Sequence, residues 1–353
     1  MKTNILFFFV LASISFNTTQ NINSTKKLAN PNPINLEIND ITLIKEAFHL
    51  QGKLGQLVWI KWKKQKTPFL YKKNGYDFLL FHKKPPKDFN IFKSTFENES
   101  VYWRKSKDTL NYRATYPINE IPTVVMSAPS IDENVCEWVL IANHEMFHVF
   151  QESQISIELK KEQEFNAKSK KIYNELNFPY EYYNEKILAI QKLEADKIYT
   201  SLVKNKIKEG EANILKRRFA DLYLIQSSII KDTLNIKFKS HMEWKEGVAR
   251  YTEQELAILA SNKDSYKPTS AFKKQFQNYT YSEIADRYKN QSVISPIRFV
   301  GEGVIGRVMF YYTGLGKAYL LDKINPTWKA DYFDKSLDEL LIGEEQFLMC
   351  KTY

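Results

Sequence analysis

The sequence HEMFH at residues 144–148 constrains this chain more than any other feature. On an α-helix, side chains four residues apart lie on one face, a single turn from each other. At this spacing the imidazoles of His144 and His148 can bind one Zn²⁺ ion from a rigid element. Glu145 projects about 100° around the helix, where it can reach a water molecule instead of the metal. The sequence therefore predicts a metal-binding helix.

The start of this helix is indicated by Ser130 and Glu133, which have the spacing of a capping box. In a capping box the two side chains bind backbone N–H groups that have no partner at a helix N-terminus. The spacing predicts a helix from Asp132 to about Glu152, and the apolar residues around the motif are typical of a buried helix.

A third metal ligand is needed, because catalytic zinc sites hold three protein ligands and keep one position open. No third histidine follows the motif at the short spacing that metzincins use, so that class is excluded. The best candidate stretch is EWKEGVARYTE at residues 243–253, which contains three glutamates. The expected third ligand therefore lies far downstream of the motif.

Within this stretch, EGVA at residues 246–249 resembles the Glu-Gly-x-Ala element of gluzincin metallopeptidases, the group that includes thermolysin and the aminopeptidase N family. The resemblance implies a zincin-like catalytic region in which His144, His148 and Glu246 bind Zn²⁺. The HExxHxxQ form of the first motif, which ends at Gln151, also resembles a group of exported bacterial metallopeptidase-like proteins.

The resemblance also implies that Gly247 and Ala249 are small so that the two metal-bearing helices can approach closely. The chain departs from thermolysin-like enzymes in one respect, because 97 residues separate His148 from Glu246. Helical patterns fill this gap, so we expect a helical insertion at about 157–235 beside the cleft.

Other interpretations of residues 243–253 remain open at this point. Glu243 and His241 are alternative third ligands. Glu246 and Arg250 also have the spacing of an ion pair on a solvent-exposed helix face, along which Glu243 and Glu253 continue a charged stripe.

Hydrolysis at such a site also needs a base and a hydrogen-bond donor. Glu145 is expected to take a proton from the attacking water and to deliver it to the leaving amine. Tyr312 is the expected donor to the oxyanion. Asp322 and Asp338 are candidates for a hydrogen bond that orients a zinc-binding histidine. The alternative oxyanion donors are Tyr251, Tyr311, His241 and Arg307.

The patterns outside the motifs predict an α+β fold, with a small antiparallel sheet followed by a predominantly helical region. Residues 51–129 are predicted to be β-rich, and Asn74-Gly75 is the favoured pair for a tight hairpin turn. Residues 130–353 have helical periodicity. The predicted strands lie at about 57–62, 69–71, 78–81, 101–103 and 123–126. Further helices are predicted at about 157–176, 181–206, 209–231 and from about 242 onward.

The N-terminus is typical of a signal peptide, because Lys2 precedes a short apolar run and then small residues. Residues 1–20 are therefore expected to be removed on export, which predicts a secreted or periplasmic protein. Residues 21–50 are predicted to form a linker and a short helix at 41–49. No later segment predicts an integral membrane span.

Charge and cysteine content add weaker constraints. The formal net charge of +10 is compatible with an anionic partner. No Arg-rich tract, RNP-like motif or zinc-finger spacing accompanies this charge, so nucleic acid is not an expected partner. Cys136 and Cys350 could pair in an exported protein, or both could be buried thiols.

Together these features predict an exported zinc metallopeptidase with a peptide or protein substrate. The first alternative is a catalytically inactive zinc-binding module for surface binding or adhesion. The second is a basic surface-binding protein in which the HExxH motif is incidental. No pattern in the sequence selects an oligomeric state.

Overall fold

The computed structural model describes residues 36–165, 175–204, 206–230, 232–290 and 295–351. The protein has an α+β fold, in which a long first helix precedes a sheet and most of the helices follow it. This confirms the predicted fold class. The expected signal peptide and the linker up to residue 35 lie outside the described residues.

The helices are numbered in chain order. They are α1 (Ile38–Val58), α2 (Val135–Gln154), α3 (Ile157–Glu162), α4 (Glu185–Leu202), α5 (Glu209–Ile229), α6 (Thr233–Met242), α7 (Val248–Ser261), α8 (Ser270–Gln275), α9 (Tyr281–Asn290), α10 (Val308–Ile324), α11 (Leu337–Ile342) and α12 (Glu344–Lys351). A π-helical turn, Glu243–Gly247, joins α6 to α7. Short 3₁₀ turns lie at Ser295–Phe299 and Trp328–Ala330.

The described sheet has six strands in the order β3-β4-β2-β1-β6-β5. Neighbouring strands are antiparallel except β1 and β6, which are parallel. Asn74 and Gly75 both have positive φ in the β1–β2 hairpin, as the sequence predicts for a tight turn. The strands are β1 (Phe69–Lys73), β2 (Tyr76–Leu80), β3 (Asn90–Phe96), β4 (Glu99–Lys105), β5 (Arg113–Ile118) and β6 (Ile121–Ser127).

The two faces of the sheet have separate apolar partners, because successive side chains on a strand point to opposite faces. One face joins the main core beneath the helices, where Trp138 of α2 contacts the rings of Phe69 and Tyr71. The other face carries a smaller cluster that includes Leu70, Leu79 and Val125. Helix α2 packs against β5, β6, α1 and α7. The sheet and the surrounding helices therefore fix the position of the predicted metal-binding helix.

Several predicted boundaries are wrong. Residues 57–62 do not form a strand, because α1 extends to Val58 with Leu50, Leu54 and Val58 buried at helical spacing. The short helix predicted at 41–49 is therefore only the middle of a longer one. The helix predicted from about 242 begins at Thr233, after an Asp232 N-cap.

The predicted helical insertion is present in part. Helices α4 and α5 lie within the predicted segments 181–206 and 209–231. The helix predicted at 157–176 ends earlier, since α3 stops at Glu162, and residues 166–174 lie outside the described residues.

Cys136 and Cys350 are both buried free thiols, so of the two alternatives the unpaired one is confirmed. Burial raises the pKa of Cys136, as an apolar environment does for a thiol. Among the described helices, none has the length and apolar character needed to cross a bilayer.

Candidate metal centre

The HExxH motif lies on α2, as predicted, but the helix starts three residues later than expected. Its N-cap is Asn134, whose side chain accepts hydrogen bonds from the N–H groups of Cys136 and Glu137. Asparagine caps a helix as well as serine does. The backbone N–H of Ser130 does donate to Glu133, but the Glu133 carboxylate also binds Arg113, outside the helix. The capping box predicted at the helix start is therefore wrong.

The three expected ligands converge. Nε2 of His144 lies 3.5 Å from Oε2 of Glu246, and Nε2 of His148 lies 3.3 Å from the same oxygen. All three side chains are buried. A tetrahedral zinc ion with bonds of about 2.0–2.1 Å holds neighbouring ligand atoms about 3.3–3.4 Å apart. The observed separations fit such an ion, and two imidazole nitrogens with one carboxylate oxygen form a donor set that zinc prefers.

A second carboxylate lies close to the same nitrogens. Ligand atoms of His144, Glu145 and His148 all lie within 4.8 Å of one another, so distance alone leaves two carboxylates as third ligands. Oε2 of Glu145 accepts a hydrogen bond from Oγ1 of Thr115 at 3.0 Å. Oε2 of Glu246 instead faces both imidazoles. The geometry therefore favours Glu246 as the ligand and Glu145 as the carboxylate beside the ligands.

Glu246 is carried by the π-helical turn Glu243–Gly247, which packs against α10. Such turns occur frequently at functional sites. A Cβ atom on Gly247 would lie 2.4 Å from Cα of Gly314, a distance that real Cβ atoms essentially never show. The close approach at Gly247 is therefore with α10, whereas the resemblance implied the other metal-bearing helix. Ala249 is fully buried on α7, which does pack against α2.

Behind His148, Gln151 holds the imidazole. Nδ1 of His148 lies 2.7 Å from Oε1 of Gln151, so a neutral His148 donates its Nδ1 proton there and keeps Nε2 free for a metal. The amide of Gln151 donates to the backbone oxygen of Lys245 and to the hydroxyl of Tyr332, which donates to the backbone oxygen of Trp244. One side chain thus joins α2 to the π-helical turn. The sequence indicated Gln151 only as the end of a motif.

Behind His144, Glu253 has the corresponding role. Its Oε2 lies 3.2 Å from Nδ1 of His144. Arg250 donates to both oxygens of Glu253, and the hydroxyl of Tyr288 donates at 2.6 Å. The side chain of Glu253 is 2% exposed, so the predicted solvent-exposed charged stripe is wrong. Arg250 pairs with Glu253 and not with Glu246.

The electrostatics favour a cation between these carboxylates. Burial alone would lower the pKa of His144, but Glu246 and Glu253 raise it to about 10 through hydrogen bonds and charge. Burial alone would raise the pKa of Glu253, but the charge of Arg250 and the interaction with His144 lower it to about 2. A proton and a metal ion therefore compete for His144 at neutral pH.

The two alternative third ligands, Glu243 and His241, have partners outside the metal centre. The carboxylate of Glu243 binds the ammonium groups of Lys239 and Lys317 in a buried cluster. His241 lies 2.9 Å from a carboxylate oxygen of Glu175. The structure therefore brings neither Glu243 nor His241 to the histidines of the motif.

The two aspartates suggested as orienting groups also lie elsewhere. Asp338 binds Lys317, and Asp322 accepts hydrogen bonds from Tyr251 and Trp328. Asp338 lies near two further carboxylates, but each carboxylate of that cluster already forms an ion pair with Lys317 or Lys239, so we do not regard it as a second metal site. Glu253, whose position in the sequence was compatible with an exposed charged stripe, orients His144 instead. The sequence could have indicated Glu253 through its spacing, because seven residues, or two helical turns, place it on the same helix face as Glu246.

Tyr311 and Tyr312 are neighbours on α10, and both are half-buried. Burial, with the charge of Glu246, raises the pKa of Tyr311 well above its usual value. Tyr312 lies within electrostatic range of Arg250, which binds Glu253. The expected oxyanion donor Tyr312 thus stays a prediction, and Tyr311 is the tyrosine on which the charge of a proposed ligand acts.

A scan against protein-family models, a search of curated proteins and a search of solved structures found no match to this chain. The resemblance to gluzincins therefore depends on the two motifs, and the interpretation of the site depends on its geometry. That geometry combines two imidazoles, a carboxylate close to both of them and a second carboxylate beside them in one buried position.

Proposed function

We propose that this protein is an exported zinc-dependent metallopeptidase that hydrolyses peptide bonds. The observation that carries the proposal is the buried set of His144, His148 and Glu246, in which both His–Glu separations match a tetrahedral zinc site. Glu145 beside them supplies the carboxylate that hydrolysis requires. Export is proposed from the N-terminal sequence pattern alone.

Zinc bound by these residues would lower the pKa of a water molecule and polarise a substrate carbonyl. In the proposed reaction, Glu145 takes a proton from the attacking water and passes it to the leaving amine. Thr115 holds Glu145 for this transfer, because its hydroxyl lies 3.0 Å from the carboxylate. Tyr312 is the proposed donor to the oxyanion, with Tyr311 as the alternative on the same helix.

A peptide substrate is favoured by the position of β5. Within the described sheet, β5 is an edge strand that pairs with β6, and it packs against α2. An edge strand presents unpaired N–H and C=O groups, to which an extended peptide can add as a further strand. Thr115 belongs to β5 and contacts Glu145, so a peptide bound along this edge would pass the proposed base.

The test is cleavage of a peptide library by the purified, zinc-loaded protein, read by mass spectrometry. Glu145→Ala is run in parallel, with Glu152→Ala as a matched control because Glu152 is an exposed residue of the same helix. We expect cuts by the wild type and by the control. Loss of a general base lowers rates by about 10²–10⁴-fold, so the cuts should disappear in Glu145→Ala.

Other outcomes would overturn the proposal. Absence of cuts from a wild-type protein that holds one zinc ion per chain would favour the catalytically inactive zinc-binding module. Absence of stoichiometric zinc would favour the basic surface-binding protein, whose association with anionic polymers should weaken as salt is added.

A further inference from the structure

Arg307 is a half-buried cation beside the proposed active site. It is the residue immediately before α10, four positions before Tyr311. Within the described part of the chain, its guanidinium forms no ion pair and donates no hydrogen bond to a side chain or backbone oxygen. The charges of Glu246 and Glu175 act on it from beyond ion-pair distance. A guanidinium has five N–H donors, and no nitrogen of Arg307 is among the described buried polar atoms that lack a partner. These donors are therefore open to water or to a carboxylate of a bound molecule.

The position of Arg307 relative to the ligands follows from its neighbours. Its Cζ atom lies 6.0 Å from the centre of the Tyr311 ring. Tyr311 belongs to α10, which packs against the π-helical turn that carries Glu246. Arg307 thus lies at the start of the helix that packs against the turn of a proposed zinc ligand. Since each residue of an extended peptide spans about 3.3–3.6 Å, a group within about three residues of the scissile bond can reach it.

The nearby cations are already neutralised, which distinguishes Arg307 from them. Lys245 binds Glu175 at 2.6 Å, and Arg250 binds Glu253 at 2.7 Å. The formal net charge of +10 would also attract anionic molecules from a distance. Of Lys245, Arg250 and Arg307, therefore, Arg307 is the one that lacks a carboxylate at ion-pair distance within the described residues.

We infer that Arg307 binds a carboxylate of the substrate and so selects anionic peptides. The inference rests on the proposed peptidase function. A planar guanidinium matches a carboxylate through two parallel hydrogen bonds, which gives both affinity and orientation. The carboxylate belongs either to the C-terminus of the peptide or to an acidic side chain near the cut. These two sources share the same chemistry and are separated by the experiment.

The experiment uses a peptide library in matched forms. In the first pair, one peptide ends in a free C-terminal carboxylate and the other in a carboxamide. In the second pair, the two peptides differ in having Glu or Gln at a given internal position. The enzymes are the zinc-loaded wild type, Arg307→Gln and Arg307→Lys. Arg298→Gln is the matched control, because Arg298 lies 5.9 Å from the ring centre of Tyr199 and is exposed. Lysine keeps the charge but not the paired hydrogen bonds, so Arg307→Lys distinguishes loss of recognition from loss of folding.

We expect the wild type to prefer the anionic member of one pair by about 10- to 100-fold in kcat/KM, the range of a charged hydrogen-bonded contact. The preference should nearly vanish in Arg307→Gln and persist in Arg298→Gln. In Arg307→Lys it should lie between the values for the wild type and for Arg307→Gln. The peptide pair in which the preference is found identifies the source of the carboxylate. Equal cleavage of both members, or a preference unchanged in Arg307→Gln, overturns the inference and leaves the peptidase proposal intact.

Absence of cleavage would overturn the peptidase proposal without deciding the role of Arg307. The same zinc-loaded proteins are therefore also used to capture the library without turnover. Enrichment of anionic peptides by the wild type and by Arg298→Gln, but not by Arg307→Gln, supports a carboxylate site in a non-catalytic protein. Equal capture by all three proteins overturns the inference.

Discussion

Replacing Gln151 with leucine should weaken zinc binding and destabilise the fold together. Leucine fills a similar volume but has no polar atoms, so Nδ1 of His148 and the backbone oxygen of Lys245 lose their partner. Each polar group left without a partner in a buried position costs about 1–3 kcal/mol, which predicts a loss of about 2–6 kcal/mol. Loss of the hydrogen bond to a zinc-binding histidine lowers zinc affinity by about 10–100-fold.

Two measurements check this prediction. Urea unfolding without zinc gives the change in the free energy of unfolding, and titration against a competing chelator gives the change in zinc affinity. The control is Gln154→Leu on the same helix, because the side chain of Gln154 donates hydrogen bonds only to Ser153 among the described residues. We expect this control to change neither quantity by more than about 0.5 kcal/mol, as for surface substitutions.

A second variant separates the two effects. In Gln151→Glu the carboxylate still accepts from His148, but it cannot donate to the backbone oxygen of Lys245 and repels it. We expect Gln151→Glu to keep more zinc affinity than Gln151→Leu while losing stability. Unchanged zinc affinity in Gln151→Leu would refute the reasoning, because it would mean that the orientation of His148 does not depend on Gln151.

Three further predictions follow from the same structure. Gly247→Ala should lower stability by about 1–3 kcal/mol, the usual cost of overpacking, since its Cβ atom would lie 2.4 Å from Gly314. Lys317→Met should lower it by about 3–5 kcal/mol, because it breaks a buried cluster of ion pairs. Apparent zinc affinity should rise about tenfold per pH unit between about pH 7 and 9, since zinc must displace a proton from His144, whose pKa is raised to about 10.

Urea unfolding measures the first two changes, and calorimetric zinc titration in buffers of different pH measures the third. Lys160→Met is the control for Lys317→Met, because Lys160 forms an exposed ion pair worth at most about 1 kcal/mol. Wild-type stability in Gly247→Ala would contradict the close helix contact. Stability of Lys317→Met equal to that of Lys160→Met would contradict the buried cluster. Zinc affinity that does not change with pH would contradict protonation of His144.

The features that the sequence predicted correctly depend on local spacing. The pair Asn74-Gly75 predicts a hairpin because few other residues adopt positive φ at both turn positions. The two histidines of the motif lie together because they are one helical turn apart. Segments of this kind depend little on the rest of the chain, which is why single-sequence patterns identify them.

The features that the sequence missed depend on contacts between distant segments. Glu253 orients His144 across 109 residues, and nothing local distinguishes it from a solvent-exposed glutamate. Its partner Arg250 was assigned to Glu246 because ion pairs at i,i+4 are common on exposed helices. The close approach of Gly247 to α10 could likewise not be predicted, because packing between separate helices leaves no periodic pattern in the sequence.

The most direct test of the metal centre is the zinc content of the purified protein and of Glu246→Gln, with Glu152→Gln as the control on α2. We expect one zinc ion per chain in the wild type and in Glu152→Gln. We expect a large loss of zinc from Glu246→Gln, because an amide oxygen is a far weaker ligand than a carboxylate. Full zinc occupancy in Glu246→Gln would contradict the assignment of Glu246 as the third ligand, and absence of zinc from the wild type would contradict the metal centre itself.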